Sequence, residues 1–97
     1  MDEVKIILDK LKAIMIDLGF KTTEINGVTN YVYKDLYCIP QYEDILGLGF
    51  LIEYADSLEE AQKGWHGDGA CVPLKVGEKA ILEELKAEVI ENMKAHM

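Results

Sequence analysis

The run ILGLGFLIEY at residues 45–54 restricts the fold more than any other stretch of the chain. Its two glycines disfavour a helix, because each costs about 1 kcal/mol relative to alanine in a helix interior. In an extended strand, alternate side chains point to opposite sides of the sheet. One side is then wholly apolar and consists of Leu46, Leu48, Phe50, Ile52 and Tyr54. The other side is small and includes Glu53, so the run predicts a central β-strand covered on its apolar side by the rest of the chain.

Both ends of the chain have the periodicity of amphipathic helices. Asp2 is a suitable N-cap for the first helix, and Gly19 can end it in the left-handed conformation that glycine adopts readily. The apolar arc of this helix consists of Val4, Ile7, Leu8, Leu11, Ile14, Met15 and Leu18. Gly77 can begin the last helix. The apolar stripe of that helix consists of Ile81, Leu82, Leu85, Val89 and Met93.

A β-hairpin is predicted after the first helix. The segments 20–25 and 28–34 are rich in β-branched and aromatic residues, and Asn26 and Gly27 lie between them. Asn-Gly between two such segments is the strongest short-range hairpin signal, because both turn residues need positive φ. The two segments are therefore expected to pair as antiparallel strands.

The middle of the chain holds one more extended segment and a short helix. Residues 36–42 are again β-prone, but Pro40 has no N–H to donate to a central ladder. We therefore expect an edge strand or an extended loop there. Ser57 and Glu60 match the S-x-x-E capping box at the start of a helix, and Gly64 can end that helix.

These elements predict a single α+β domain over residues 1–97. Its sheet is antiparallel and three- to four-stranded, and the N-terminal and C-terminal helices pack on one face of it. The element order is α-β-β-(β)-β-α-α. A length of 97 residues with 49% hydrophobic residues is sufficient for one core without disulfides or metals.

The charge balance restricts the classes of partner. The chain has 18 acidic residues against ten lysines and no arginine, which gives a net charge of −8. Nucleic acids and anionic membranes both attract proteins through Lys and Arg, so we expect neither as a partner. No apolar run approaches the roughly 18 residues of a membrane-spanning helix. The acidic charge either serves solubility or attracts a protein with a basic surface.

The N-terminal sequence and the cysteines bear on the compartment. MDEVKIILDKLK mixes acidic with apolar residues, unlike the basic-then-apolar order of a signal peptide. We therefore expect a cytoplasmic protein. In that compartment Cys38 and Cys71 are expected to be reduced thiols.

Four aromatic residues are candidates for contact with a partner. Tyr31, Tyr33 and Tyr37 share one face if the chain runs straight through them. Such a row either packs as a half-buried sheet surface or serves as a platform for a partner. Trp65 follows a glycine, and it either covers the core or anchors a partner.

The first helix also carries apolar residues outside its core-facing arc. Ile6 and Ile16 lie on the back of this helix. They are either ordinary surface residues or a second contact with a target or with another copy of the chain. A homodimer closed by this helix is therefore one alternative.

The segment WHGDGAC at residues 65–71 is the stretch with the best potential for chemistry. His66, Asp68 and Cys71 are weak candidates for a metal site, because they match none of the usual zinc-ligand spacings. Cys71 with His66 as its base is the corresponding candidate nucleophile. The only serine, Ser57, is already assigned as a helix cap, so a serine triad is excluded. No catalytic residue and no cofactor is predicted.

A helix, a hairpin, a further strand and a terminal helix in a small acidic chain resemble the element order of secretion-chaperone-like and bacterial immunity-like proteins. The resemblance involves no shared motif, and a fold alone does not determine function. It implies a small acidic, non-catalytic protein-binding or regulatory module, immunity-, antitoxin- or secretion-chaperone-like, that recognises a basic partner surface. The alternative is a small enzyme or metal-binding protein that uses the loop with His66, Asp68 and Cys71.

Overall fold

The structure, a computed structural model, describes residues 2–97 apart from the side chain of Leu46, so the predicted orientation of Leu46 lies outside the described residues. The helices and strands are α1 (Glu3–Asp17), β1 (Lys21–Ile25), β2 (Val28–Tyr33), β3 (Leu36–Glu43), β4 (Gly49–Ala55), α2 (Leu58–Gln62), β5 (Gly67–Asp68) and α3 (Glu78–Lys94). This arrangement confirms the predicted α+β fold. The antiparallel sheet has five strands in the order β1-β2-β3-β4-β5, because the two-residue β5 adds to the strands predicted from the sequence.

The ends of α1 are formed by the predicted residues. The Asp2 side chain accepts a hydrogen bond from the Val4 N–H at 3.0 Å, which satisfies one of the free N–H groups at the start of the helix. Gly19 follows the helix with φ 106°. Beyond it the Phe20 N–H donates to the Met15 carbonyl at 3.1 Å, and this bond turns Phe20 back into the core.

The predicted hairpin is confirmed. Ile25 pairs with Val28 across a two-residue loop. The loop residues Asn26 and Gly27 have φ values of 54° and 79°, as the twist of the flanking strands requires.

A second tight turn separates the three tyrosines that the sequence places in a row. Lys34, with φ 55°, reverses the chain, so that Tyr33 pairs with Leu36. The register then places Tyr37 opposite the residue between Tyr31 and Tyr33. Because side chains alternate along a strand, Tyr37 points to the face opposite to that of the other two tyrosines. The straight segment that the row requires is therefore absent.

β3 lies between β2 and β4, which contradicts the edge position predicted from Pro40. Ile52 is the β4 partner of Pro40, and its carbonyl accepts a hydrogen bond from the Gly69 N–H at 2.9 Å on the β5 side. The Pro40 nitrogen therefore points away from β4 and towards β2. The pairing of β2 with β3 ends at Tyr31 and Cys38, so the missing N–H of proline removes no ladder bond.

β4 is shorter than the strand predicted for this segment. Residues 45–47 form a 3₁₀ turn, and Leu48 is 44% exposed instead of buried. Gly47 and Gly49 have φ values of 66° and 95°, which a regular strand does not contain. At Gly49 the backbone also passes so close to the Val72 carbonyl that there is no space for a Cβ atom. The glycines therefore end the extended segment instead of forming its small face.

The core lies between one face of the sheet and the two long helices, as predicted. We call this the inner face. The buried cluster consists of Ile7, Leu11, Met15, Phe20, Tyr31, Leu36, Cys38, Phe50, Ile52, Val72, Ile81, Leu85, Val89 and Met93. Cys38 belongs to this cluster, whereas Cys71 is exposed, and both are free thiols. Among residues 2–97, no helix has both the length and the apolar character that crossing a membrane requires.

Candidate binding site

A cavity of about 200 Å³ opens on the other face of the sheet, which we call the outer face. It is lined by Ile25, Asn26, Val28, Asn30, Ile39, Glu53, Ala61, Gly64 and His66. Apolar walls with a few polar groups are the usual composition of a ligand site, but small-molecule pockets typically have volumes of about 300–1,000 Å³. The cavity is therefore suited to a single side chain rather than to a larger ligand.

The turn of the β1–β2 hairpin and the end of α2 both belong to the cavity wall, and they are connected to each other. The Asn26 side-chain amide donates to the Gln62 carbonyl at 2.9 Å, which attaches the turn to the end of α2. Ala61 of α2 is buried. Gly64, with φ 73°, then reverses the chain, and His66 returns to the cavity.

The polar floor of the cavity is a hydrogen bond between Asn30 and His66. Asn30 is 1% exposed, and its amide nitrogen donates to the Val28 carbonyl at 3.2 Å. The Asn30 oxygen lies 2.9 Å from His66 Nε2, so this oxygen accepts and Nε2 carries the hydrogen. Nδ1 then keeps its lone pair. Partial burial lowers the pKa of His66 below its ordinary value of 6.5, which leaves the ring neutral near pH 7.

Glu53 lines the cavity, and a second carboxyl group lies beside it on the neighbouring strand. Glu53 of β4 is the cross-strand partner of Asp68 of β5. Because Ile52 makes the hydrogen bond to β5, Glu53 and Asp68 form a non-hydrogen-bonded pair, in which side chains approach most closely. Burial raises the pKa of Glu53, and the neighbouring Asp68 raises it further. In the described part of the chain, no ion pair includes either carboxylate.

Exposed apolar side chains belong to the cavity lining or stand next to lining residues in the chain. Trp65 stands between the lining residues Gly64 and His66 and is 63% exposed. Lys63 Nζ lies 4.6 Å from the centre of the Trp65 ring, within the range of a cation–π contact. Val28 is also exposed. Exposed aromatic residues beside a concave surface are typical of protein-binding sites.

The structure divides the predicted aromatic contact residues between the two faces of the sheet. Tyr31 is 8% exposed and belongs to the core. Tyr33 packs against that core, with its ring centre 5.7 Å from that of Phe20. Tyr37 is half-buried on the outer face, two residues before a lining residue. Only Tyr37 and Trp65 therefore share a face.

The two isoleucines on the back of α1 belong to a different surface. Ile6 is half-buried and Ile16 is 48% exposed. α1 packs on the inner face through Ile7 and Leu11. Ile6 and Ile16 therefore belong to the inner-face helix layer, whereas the chain neighbours of Trp65 line the cavity on the outer face.

The candidate metal residues do not converge. Among residues 2–97, no three His, Cys, Asp or Glu side chains are arranged to hold a metal ion. His66 points to Asn30, Asp68 pairs with a residue of β4, and Cys71 is exposed. The loop between them is fixed instead by the Ala70 N–H, which donates to Glu88 Oε1 of α3 at 2.7 Å.

Asn30 and Glu53 are site residues that the sequence does not identify. Glu53 is visible as the one charge on the small side of the central strand, but its partner Asp68 belongs to a two-residue strand with no β-pattern. Asn30 lies within a β-prone segment, and only tertiary structure brings His66 to it. Comparison with protein-family models, with curated proteins and with solved structures found no match for this chain.

Proposed function

We propose that the chain is a non-catalytic binding module that recognises a basic surface of a partner protein through the outer face of its sheet. The observation that carries the proposal is the open cavity, which is lined by the acidic residue Glu53 and has an exposed tryptophan, Trp65, between two of its lining residues in the chain. No lysine lines this cavity within the described part of the chain. The net charge of −8 adds a long-range attraction for a basic partner.

The composition of this face favours a protein over a small molecule as the partner. Trp65 and Val28 are both exposed, and burying them against a partner supplies the apolar contact that anchors protein interfaces. The proposal includes a regulatory role of the immunity, antitoxin or secretion-chaperone kind. It also includes a cytoplasmic setting, where Cys71 stays reduced.

The proposal is tested by measuring the affinity of the chain for one purified partner protein. Proteins retained by the immobilised chain from an extract of its source cells are identified, purified and titrated against the chain by calorimetry. Trp65→Ala is expected to weaken binding at least about tenfold, as for a central aromatic anchor. The matched control, Ile16→Ala, removes an exposed apolar residue from the other side of the molecule and is expected to have no effect. A partner with an acidic contact surface, or equal affinities for the two variants, contradicts the proposal.

An enzyme that uses the loop at residues 65–71 is the second candidate. The observation in its favour is that a neutral imidazole, His66, and a carboxyl group with a raised pKa, Glu53, line one cavity, since groups with perturbed pKa values cluster at active sites. Metal analysis of the purified protein and the pH dependence of Cys71 alkylation test this candidate. A stoichiometric metal, or a thiol pKa well below the ordinary value of about 8.5, favours the enzyme.

A homodimer closed by the back of α1 is the remaining alternative. Its basis is the exposed position of Ile16. Sizing of the wild-type chain, Ile6→Lys and Ile16→Lys in solution separates the two cases. The binding proposal expects a monomer for all three, whereas a wild-type dimer that the lysine variants dissociate favours self-association.

A further inference from the structure

On the basis of the proposed function, we infer that the outer-face cavity receives one long basic side chain of the partner, a lysine or an arginine, whose cationic end is bound by Glu53 and Asp68. The ligand class is therefore an alkyl cation carried by a protein. Three features support this inference: the walls of the cavity, the carboxyl groups of Glu53 and Asp68, and the protonation state of the cavity floor.

The walls match the aliphatic part of a basic side chain. Ile25, Val28, Ile39 and Ala61 give the cavity apolar sides. Lys and Arg bury their methylene groups against such surfaces while the charged end remains hydrated or paired. A volume of about 200 Å³ admits one such side chain, in agreement with a single anchoring residue.

The carboxyl groups of Glu53 and Asp68 complement the charged end of a lysine or arginine side chain. Like charges directly opposite each other on neighbouring strands destabilise a sheet, and Glu53 and Asp68 are such a pair. In residues 2–97, no ion pair joins either of them to a cation. A cation placed between them replaces this repulsion with attraction. In the free chain, burial and the proximity of Asp68 raise the pKa of Glu53, whereas a bound cation favours the ionised form of both carboxyl groups.

The floor of the cavity adds an acceptor and no positive charge. His66 donates from Nε2 to Asn30, so its Nδ1 is an acceptor. Its lowered pKa keeps the ring uncharged near neutral pH. An ammonium or guanidinium group thus meets carboxylates and a neutral imidazole, with no competing cation among the lining residues.

The inference is tested with blocked tripeptides of the form Gly-X-Gly, where X is lysine, arginine or norleucine. Binding is followed by the fluorescence of Trp65, the only tryptophan of the chain, and by the backbone amide shifts of Asn30 and Glu53. We expect roughly millimolar affinity for the lysine or arginine peptide. Norleucine, which has the same alkyl stem as lysine but no charge, is expected to bind at least about tenfold more weakly.

Glu53→Gln is the diagnostic variant, and Glu83→Gln is its control. Both remove one negative charge, but Glu83 is an exposed residue of α3, which packs on the inner face. Glu53→Gln is expected to weaken binding of the basic peptides about tenfold while the thermal midpoint stays the same or rises, because a like-charge contact is lost. Asp68→Asn is the second variant and is used if Glu53→Gln does not fold.

The outcomes separate this inference from the proposed function. Equal binding of the norleucine and lysine peptides, or unchanged affinity in both carboxylate variants, overturns the inference. If no peptide binds but the purified partner binds in a Trp65-dependent manner, the inference fails and the proposed function stands. If the partner also binds Trp65→Ala with unchanged affinity, both fail.

Discussion

Asn30 is the residue on which the floor of the outer-face cavity depends. It is buried and makes one hydrogen bond to the Val28 carbonyl and one with His66. Asn30→Leu keeps a side chain of similar size and removes both bonds, so we expect the free energy of unfolding to fall by about 1–3 kcal/mol. Urea denaturation measures the change. Thr29→Leu, at an exposed position of the same strand, is the control, and an equal effect of the two variants contradicts this role for Asn30.

Gly47 and Gly49, at the start of β4, allow two alanine substitutions to be compared. Both have positive φ, so alanine is strained at either position. At Gly49 an added Cβ also meets the backbone of Val72, whereas at Gly47 it meets no atom within 4 Å. We therefore expect Gly49→Ala to lower the free energy of unfolding by about 1–3 kcal/mol more than Gly47→Ala does. Denaturation curves for the two variants check this, and similar losses would show that only φ matters.

At the residue scale, the local chemistry of the chain is predictable where a signal and its target lie within a few residues. The caps at Asp2 and Ser57 and the turn at Asn26 are of this kind. The contacts that form the cavity are not, because Asn30 meets His66 only through the path of the chain after α2. A local pattern does not encode such a contact.

The C-terminal end of α3 is held to the sheet by His96. Its Nε2 lies 3.0 Å from a carboxylate oxygen of Asp56, in the connection after β4, and its Nδ1 lies 2.6 Å from a carboxylate oxygen of Asp35, in the β2–β3 turn. These carboxylates, Asp35 first, raise the pKa of His96 above 6.5, while partial burial opposes them. The protonated His96 ring therefore links the end of α3 to the β2–β3 turn and to the connection after β4.

The His96 contact predicts a specific dependence of stability on pH. Because the pKa of His96 is higher in the folded chain, its contribution is full below pH 6.5 and is lost as the pH rises through the folded pKa. His66 has the opposite sign, since its folded pKa is lowered. We expect the difference in unfolding free energy between the wild type and His96→Gln to shrink as the pH rises above 6.5. A difference that does not vary with pH contradicts an ionic contact.

At the element scale, the helices were more predictable than the strand order. Capping residues and a 3.6-residue period locate α1 and α3. The prediction from Pro40 is wrong because its nitrogen faces a part of β2 that no longer pairs with β3. Whether a sheet tolerates a proline depends on where the pairing with the neighbouring strand ends, and local sequence does not give that position.

The whole molecule is an acidic body with one covered and one partly open face. The α+β class and the packing of two helices on one face follow from hydrophobic periodicity. The fifth strand does not, because Gly67 and Asp68 pair with β4 without any β-prone pattern. The outer face, which carries the proposed function, was therefore the less predictable half of the molecule.

The net charge predicts how association with the proposed basic partner depends on salt. With a net charge of −8, attraction at long range speeds the encounter and is screened beyond about 10 Å at 0.1 M salt. We expect the association rate constant to fall about tenfold or more between 0.02 and 0.5 M salt, with a much smaller change in the dissociation rate constant. Stopped-flow fluorescence of Trp65 measures both. A salt effect confined to dissociation is the contrary result.

The two cysteines differ in their surroundings, so thiol labelling distinguishes folded from unfolded molecules. Cys38 is sealed between the sheet and the helices, and this burial raises the pKa of its thiol, whereas Cys71 faces water. Only the thiolate reacts with alkylating reagents, so the native chain is expected to add one label and the unfolded chain two. A mass spectrum taken after brief alkylation thus reports the fraction of unfolded molecules directly, without an engineered reporter.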